Sequence, residues 1–225
     1  MTSRVSEAIK RAFDVALVAV TFPVLFPLLG VLAVAIRIDS PGSVFYRGVR
    51  VGRFGKPFRI FKFRTMVQNA DKIGGSSTPE DDPRVTRVGR FLRKYKLDEL
   101  PQLLNVIKGE MSLVGPRPQV AWVVELYAPE EKAVLSVRPG ITDCASLRFR
   151  NEGEILRGSA NPDQAYFEKI HPEKMRLGLE YVQKQCLWLD CQILVNTLGA
   201  VVFRPLRGSS GSKTDAGRAG GTISQ

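Results

Sequence analysis

The sequence is poor in the residues that build disulfide frameworks and metal clusters. Its 225 residues include three cysteines, Cys144, Cys186 and Cys191, and one histidine, His171. Three cysteines cannot all pair, and three scattered thiols with one imidazole do not form a zinc cluster. These shortages exclude a disulfide scaffold and a zinc protein, and they favour a reduced, cytoplasm-facing protein. Any metal should be a hard ion held by carboxylates and phosphate, with Mg²⁺ as the default.

Acidic residues are also scarce beside basic ones. There are 22 Asp and Glu against 33 Lys and Arg, which gives a net charge of +11. This balance predicts anionic partners: nucleic acid, acidic lipid or phosphorylated substrates. Nucleic acid is disfavoured because the basic blocks lack the interleaved aromatic residues of a stacking surface. The length suits one domain or two small ones, there is no internal repeat, and the sequence leaves a homo-oligomer open.

An uncharged segment runs from Val15 to Ile36. As a straight helix it would be roughly 33 Å long, enough to cross a bilayer core. A secretory signal peptide is disfavoured because the run is too long and contains prolines. Both flanks are basic, which places both on the cytoplasmic side. We therefore prefer a re-entrant helix, bent at Pro23 and Pro27, to a straight span. Thr21 is the candidate donor to the carbonyls freed at the bend.

The rest of the chain predicts a mostly helical α/β protein. We expect residues 1–38 to form the membrane helix, 39–204 a cytoplasmic and interfacial domain, and 205–225 a disordered tail rich in Gly and Ser. Short strands are predicted over Val44–Tyr46 and Phe58–Phe63. The periodicity predicts helices over Val85–Tyr95, Leu100–Ile107, Val120–Tyr127, Pro129–Val137 and, in pieces, Pro162–Gln185. The apolar stretch Cys186–Phe203 fits either a core helix or a helix lying in the membrane interface.

Two adjacent carboxylates, Asp98 and Glu99, precede the helix predicted from Leu100. Taken alone, Asp98 is most simply a helix N-cap. The setting favours chemistry instead, because seven basic residues and no acid lie between positions 47 and 64, and six basic residues and no acid between 84 and 96. Two cationic blocks around an acidic pair predict a polyphosphate site. Apolar and basic residues alternate over residues 60–66, which further predicts that Lys62 and Arg64 share the polar face of a strand.

Four motifs resemble the bacterial sugar transferase family, the monotopic polyprenyl-phosphate phosphoglycosyl transferases. They are KRAFD at 10–14, FKFRTM at 61–66, LDELPQLLNVIKGEMSLVGPRP at 97–118 and VRPGIT at 137–142. The resemblance extends from Lys10 to Phe203, and its long central motif is highly specific. It implies a re-entrant membrane helix, interfacial amphipathic helices and a small cytoplasmic catalytic core at the bacterial inner membrane.

The resemblance also implies a reaction. A nucleoside-diphosphate sugar, usually a UDP-sugar, gives its phosphosugar to undecaprenyl phosphate and releases the nucleoside monophosphate. This is the first membrane step of exopolysaccharide, O-antigen (lipopolysaccharide) or glycoconjugate synthesis. The family's acidic dyad maps onto Asp98, as the nucleophile and Mg²⁺ ligand, and onto Glu99, which handles a proton or positions the acceptor.

The same resemblance gives expected roles to several basic residues. Arg93, Arg117 and Arg138 are expected on phosphates, Lys62 and Arg64 on substrate or anionic membrane lipids, and Gly140 in a substrate-binding turn. The chain departs from the family at Phe26, where known members place serine before the bend proline, and at Asp143–Cys144. Two alternatives stay open: a membrane nucleotide-sugar hydrolase, and a basic membrane-surface scaffold without catalysis.

Overall fold

The computed structural model describes residues 4–70, 73 and 77–202, so the predicted tail at 205–225 lies outside the described residues. The described chain is mostly helical, as expected. Its α-helices are α1 Arg4–Asp39, α2 Arg87–Lys94, α3 Leu103–Lys108, α4 Ala121–Glu125, α5 Cys144–Arg148, α6 Glu152–Leu156, α7 Pro162–Lys169, α8 His171–Lys184 and α9 Leu187–Val202. Short 3₁₀ segments cover Arg53–Gly55, Leu97–Gln102 and Glu131–Ser136. Helix α2 confirms the predicted Val85–Tyr95 helix, and Thr86 caps it.

The described strands form three two-stranded sheets. They are β1 Phe45–Tyr46, β2 Val49–Val51, β3 Pro57–Arg59, β4 Lys62–Phe63, β5 Ser112–Val114 and β6 Gly140–Thr142. The pairs β1–β4 and β2–β3 are antiparallel, whereas β5 and β6 are parallel. The expectation of one strand over Phe58–Phe63 is wrong, because the side chain of Asn105 interrupts it. This side chain accepts from the Phe61 amide at 2.8 Å and donates to the Arg59 carbonyl at 2.9 Å.

Helix α1 runs without interruption through Pro23 and Pro27. Within the described residues it is the one helix long and apolar enough to cross a membrane. Its middle is exposed, with Val24 at 77%. The hydroxyl of Thr21 donates to the carbonyls of Leu17 and Val18, at 2.9 and 3.2 Å. The expectation for Thr21 is therefore wrong, since the prolines free the carbonyls of residues 19 and 23.

Both ends of α1 pack against the globular part of the chain. In its first half, Val18 is buried in the largest core cluster, together with Val106. Near its end, Leu32 and Ile36 are buried with Phe63 and Leu92 in a second cluster. In the middle of α1, Leu25 and Leu29 pack against the same two clusters, so one face of the helix contacts the globular part and the opposite apolar face is exposed.

A buried polar network joins α1 to α8, α9 and β5. Lys10 Nζ lies 2.6 Å from Asp190 Oδ2, and the Tyr181 hydroxyl donates to Asp190 Oδ1 at 2.7 Å. The Ser112 hydroxyl donates to Asp14 Oδ2 at 2.7 Å. Burying charges is costly unless they are paired, so these matched partners fix where the helices meet.

Helix α9 has two apolar faces. One packs into the core through Ile193, beside the buried Asp190. The other face exposes Trp188 at 72%, Val195 and Leu198. The two alternatives, a core helix and a helix lying in the membrane interface, therefore describe opposite faces of one helix.

Candidate active site

The acidic pair lies in the 3₁₀ segment that leads into α3. Lys96, just before this segment, adopts a left-handed conformation with φ 57°, and its side chain caps nothing. Asp98 and Glu99 lie within the segment rather than at its N-cap, and both are buried. The N-cap interpretation of Asp98 is therefore wrong. Helix α3 ends as expected at Gly109, whose φ is 82°.

Lys62 bridges the two carboxylates. Its Nζ lies 2.8 Å from Asp98 Oδ2 and 3.3 Å from Glu99 Oε1. Strand β4, which carries Lys62, packs against the 3₁₀ segment through the buried Phe63. The packing of Phe63 thus positions the ammonium group of Lys62 beside both carboxylates.

Arg117 binds Glu99 with both terminal nitrogens. Its Nη1 lies 3.1 Å from Glu99 Oε2, and its Nη2 donates to Glu99 Oε1. Burial acts to raise the pKa of Glu99, but the charges of Arg117 and Lys62 outweigh it and hold this pKa well below its usual value. Glu99 in turn raises the pKa of Arg117. The pair is therefore fully ionised at neutral pH.

One oxygen of Asp98 has no partner. Asp98 is 2% exposed, and its Oδ1 is buried without a hydrogen bond among the described residues. The same is true of Nε2 of Gln102, which is 1% exposed. A buried polar atom left unpaired costs about 1–3 kcal/mol. Such atoms in a native site suggest that a ligand completes it. Gln102 was not predicted from the sequence, where its only signal is its position four residues after Asp98.

The residues around Asp98 fit a metal shared with a substrate better than a resident metal cluster. No group of three or more His, Cys, Asp or Glu in the described part of the chain could hold a metal ion. Mg²⁺ is commonly held by one or two carboxylates together with substrate phosphates. The Asp98 carboxylate could supply one protein ligand to such a metal, and the substrate phosphates would supply the others.

Arg93 is the third cation near the pair. Its Nε donates to Thr65 Oγ1 at 2.9 Å. Burial lowers its pKa, and the negative charge of Asp98 opposes this shift. The structure therefore places Lys62, Arg93 and Arg117 near the carboxylates, and their contact with substrate phosphates stays a prediction.

Arg64 lies apart from this cluster. Its Nη2 donates to the carbonyl and hydroxyl oxygens of Ser40, at 2.8 and 3.0 Å, and its Nη1 donates to the carbonyl of Pro41. The expectation that Arg64 shares an exposed polar face with Lys62 is wrong, because Arg64 is buried against the turn that follows α1. A contact of Arg64 with substrate stays a prediction.

Arg138 and Gly140 are not brought to the acidic pair either. Arg138 Nε donates to the Gly109 carbonyl at 3.0 Å, at the far end of α3. Gly140 packs directly on Gly115: a Cβ atom at Gly140 would lie 2.1 Å from the Gly115 amide nitrogen. This close approach explains the glycine without a ligand, and a substrate contact stays a prediction for both residues.

A pocket opens beside Arg117. It has a volume of about 420 Å³ and is lined by aromatic, acidic and basic side chains, among them Tyr127, Asp143, Tyr166, His171 and Lys174. Because Arg117 lines this pocket and also binds Glu99, it connects the pocket to the carboxylates. Among these lining residues, only Arg117 was given a substrate role from the sequence, because the others come from separate segments of the chain.

Comparisons with known proteins match most of the chain to one family. The family model described as "Bacterial sugar transferase" matches residues 5–204. A UDP-glucose:undecaprenyl-phosphate glucose-1-phosphate transferase of Caulobacter vibrioides is 38% identical over 86% of this chain and 69% of its own length. The exopolysaccharide production protein ExoY of Sinorhizobium fredii is 37% identical over 85% of this chain and 84% of its own length.

A longer relative is matched only in part. The UDP-N-acetylgalactosamine-undecaprenyl-phosphate N-acetylgalactosaminephosphotransferase of Aeromonas hydrophila is 36% identical over 86% of this chain, but the match spans 44% of that protein. The chain thus spans less than half the length of this relative. Since the family model and the relatives cover most of the chain, we conclude that it belongs to the bacterial sugar transferase family.

Proposed function

We propose that this protein is a phosphoglycosyl transferase. It moves a phosphosugar from a nucleoside-diphosphate sugar, most simply a UDP-sugar, to undecaprenyl phosphate. The observation that carries the proposal is the unpaired, buried Oδ1 of Asp98 beside Lys62 and the Glu99–Arg117 pair. A carboxylate oxygen among cations is suited to attack an anionic phosphorus, because the cations offset the charge of the substrate.

The first step forms a covalent intermediate. Oδ1 of Asp98 bonds to the sugar-side phosphorus, and the bond from that phosphorus to the bridging oxygen breaks. The nucleoside monophosphate leaves with the electron pair, so no proton transfer is needed. Lys62 is paired with Oδ2 of Asp98, which leaves Oδ1 to react and keeps a positive charge beside the phosphoryl oxygens.

The second step returns the enzyme to its starting state. An oxygen of the lipid phosphate attacks the same phosphorus, and the Asp98–phosphorus bond breaks. The products are a polyprenyl-diphosphate sugar and a free Asp98 carboxylate. Two displacements through one covalent intermediate predict ping-pong kinetics.

Glu99 and the metal support these steps. Arg117 and Lys62 keep Glu99 ionised, and Glu99 in turn holds both cations beside Asp98. These contacts favour a role for Glu99 in positioning the cations over a role in proton transfer. A weakly basic carboxylate is a poor general base at neutral pH. Mg²⁺ held by Asp98 and the substrate phosphates would supply further charge neutralisation.

We infer a re-entrant placement for α1 at the inner membrane, with the catalytic part facing the cytoplasm. Asp14, near its start, accepts from Ser112, and Asp39, at its end, accepts from the Val88 amide at 3.0 Å. Both partners belong to the globular part. A helix that crossed the roughly 30 Å hydrocarbon core would carry one end away from that part. The two contacts therefore support a helix that enters and leaves on one side.

Product release tests the proposal. Purified protein is incubated with Mg²⁺, undecaprenyl phosphate and labelled UDP-sugars, including UDP-glucose and UDP-N-acetylgalactosamine. We expect nucleoside monophosphate and labelled lipid from the wild type and neither from Asp98→Asn. Equal turnover by Asp98→Asn would overturn the assignment of the nucleophile. Without lipid acceptor the transferase should release at most one equivalent of nucleoside monophosphate per protein, from the first step alone. Repeated turnover without the acceptor would instead establish the hydrolase alternative.

A further inference from the structure

A second pocket lies where the start of α1 meets the start of α9. It has a volume of about 470 Å³ and is open to solvent. Four basic and two acidic side chains contribute to its lining: Lys10, Arg11, Arg53, Arg138, Glu7 and Asp14. We call it the α1/α9 pocket. Neither the transferase mechanism nor the acidic pair uses it.

Three guanidinium groups meet at this pocket. Arg53 is paired with Glu7, with 3.0 Å between Nη1 and Oε2, and Arg11 donates to the Ile107 carbonyl at 2.8 Å. Arg138 donates from its Nε to the Gly109 carbonyl. Its two terminal nitrogens have no hydrogen-bond acceptor among the described residues. Burial, and then the charges of Arg53 and Arg11, lower the pKa of Arg138. A bound anion would offset this mutual repulsion and satisfy the free donors.

The position of the pocket points to a membrane lipid as the source of that anion. The uncharged run of α1 starts at Val15, immediately after Asp14 in the lining. Trp188, next to the lining residue Leu187, is 72% exposed. Tryptophan is enriched at the level of the lipid headgroups. A re-entrant α1 and an α9 lying in the interface would both place the pocket at the depth of lipid phosphates.

The anion is not the one that reacts at Asp98. Arg138 is bound at Gly109, and the helical segment Leu97–Lys108 separates this point from the acidic pair. Six residues of 3₁₀ helix and six of α-helix extend over roughly 20 Å. A phosphate held by Arg138 thus lies well beyond bonding reach of Asp98.

We propose that the α1/α9 pocket binds the phosphodiester headgroup of an anionic phospholipid, with Arg11, Arg53 and Arg138 around the phosphate. The bound headgroup holds the start of α1 at the membrane surface. The inference depends on the membrane placement of α1 and is independent of the transferase activity.

Trp188 supplies a local reporter. The chain has two tryptophans, so Trp122→Phe leaves Trp188 as the only one. The protein is reconstituted in phosphatidylcholine nanodiscs that contain a minor fraction of lipid brominated near the headgroup, either phosphatidylglycerol or phosphatidylcholine. We expect brominated phosphatidylglycerol to quench Trp188 more strongly. Each basic residue near an anionic membrane surface contributes about 1 kcal/mol. Arg53→Gln/Arg138→Gln should therefore reduce this preference roughly 5- to 30-fold.

Matched variants separate the pocket from overall charge. Lys132→Gln/Lys169→Gln makes the same change in net charge at exposed positions outside the pocket, and it should keep the preference. Arg53→Lys/Arg138→Lys retains both charges and should also keep most of the preference for phosphatidylglycerol. This variant tests the proposal even if Arg53→Gln/Arg138→Gln does not fold. Loss of the preference in Lys132→Gln/Lys169→Gln or in Arg53→Lys/Arg138→Lys would contradict the proposal.

Other outcomes are equally decisive. Equal quenching by the two brominated lipids in the wild type, or an unchanged preference in Arg53→Gln/Arg138→Gln, would overturn the lipid site. Inorganic phosphate, added against sodium chloride of equal ionic strength, should leave the preference unchanged. If phosphate alone abolishes it, the pocket binds free phosphate and the assignment to a phospholipid is wrong.

Discussion

Arg117 donates from both terminal nitrogens to the carboxylate of Glu99, with 3.1 Å between Nη1 and Oε2. Lys62 contacts the same Oε1 of Glu99 and also reaches Asp98. The four side chains thus alternate in charge around the buried segment. This alternation lets two adjacent acids stay ionised beside a substrate that is itself an anion.

The two-nitrogen contact of Arg117 should matter more than its charge. Arg117→Lys keeps the charge but cannot reproduce the planar fork that matches a carboxylate. Because Glu99 and its cations then lose their fixed geometry, we expect kcat to fall on the order of 100-fold. Steady-state rates of labelled lipid formation measure this. Arg176→Lys, which alters an exposed arginine paired with Glu173 and Glu180, should be unchanged. A wild-type kcat for Arg117→Lys would contradict the role of the pair.

The lowered pKa of Glu99 predicts how stability depends on pH. The usual pKa of this carboxyl is 4.5, and in the folded protein it lies well below. The stability that ionised Glu99 contributes is therefore fully present above pH 4.5 and is lost as the pH falls below it, through the lowered pKa.

Glu99→Gln checks this sign, because the variant lacks the titrating group. Arg117 is partly exposed, so we expect the wild type to be more stable by about 1–3 kcal/mol at neutral pH. Thermal unfolding in detergent, followed across the acidic range, should show this advantage shrinking only below pH 4.5. An advantage that shrinks between pH 7 and pH 5 would show that the folded pKa is raised instead.

Gly140 should be intolerant of a side chain for a structural reason. Gly140→Ala would place a Cβ atom 2.1 Å from the Gly115 amide nitrogen and 2.4 Å from its carbonyl oxygen. Strands β5 and β6 would have to separate, and we expect a loss of about 2–4 kcal/mol. The midpoint of thermal unfolding measures it. Gly199→Ala, in α9 with no atom within 4 Å of the new Cβ, should be neutral or slightly stabilising. Equal effects of the two substitutions would contradict this account.

The re-entrant placement of α1 predicts labelling from one side only. In a background with all three cysteines replaced by serine, Ala8→Cys and Ser43→Cys place exposed thiols at the two ends of the helix. In inverted inner-membrane vesicles, which expose the cytoplasmic face, both should react with a membrane-impermeant maleimide. In right-side-out vesicles neither should react. Labelling of the two positions from opposite sides would establish a straight span.

The sequence was sufficient where local pattern decides the structure. The uncharged run of α1, the amphipathic repeat of α2 and the glycine that ends α3 were all identified from it. The acidic pair and Arg117 were singled out because they lie in a long specific motif at 97–118, and Lys62 because it lies in a shorter one at 61–66.

The sequence was not sufficient where side chains far apart in the chain determine the structure. The split of one predicted strand into β3 and β4 depends on Asn105, more than 40 positions later in the chain. Arg64 alternates with Lys62 along the sequence, yet its side chain is turned to the carbonyls of Ser40 and Pro41. Basic residues have long side chains, and sequence spacing does not specify their partners. Only the folded structure therefore shows which cations lie at the site.

The central claim is that Asp98 carries the phosphosugar. It is tested most directly by mixing the protein with a UDP-sugar donor in the absence of undecaprenyl phosphate, quenching the mixture, and digesting it for peptide mass spectrometry. We predict that the peptide containing Asp98 gains the mass of the phosphosugar, and that later addition of undecaprenyl phosphate to the unquenched complex removes it. Asp98→Asn should show no adduct. A wild type that makes labelled lipid but never shows an adduct on this peptide, together with an active Asp98→Asn, would contradict the account.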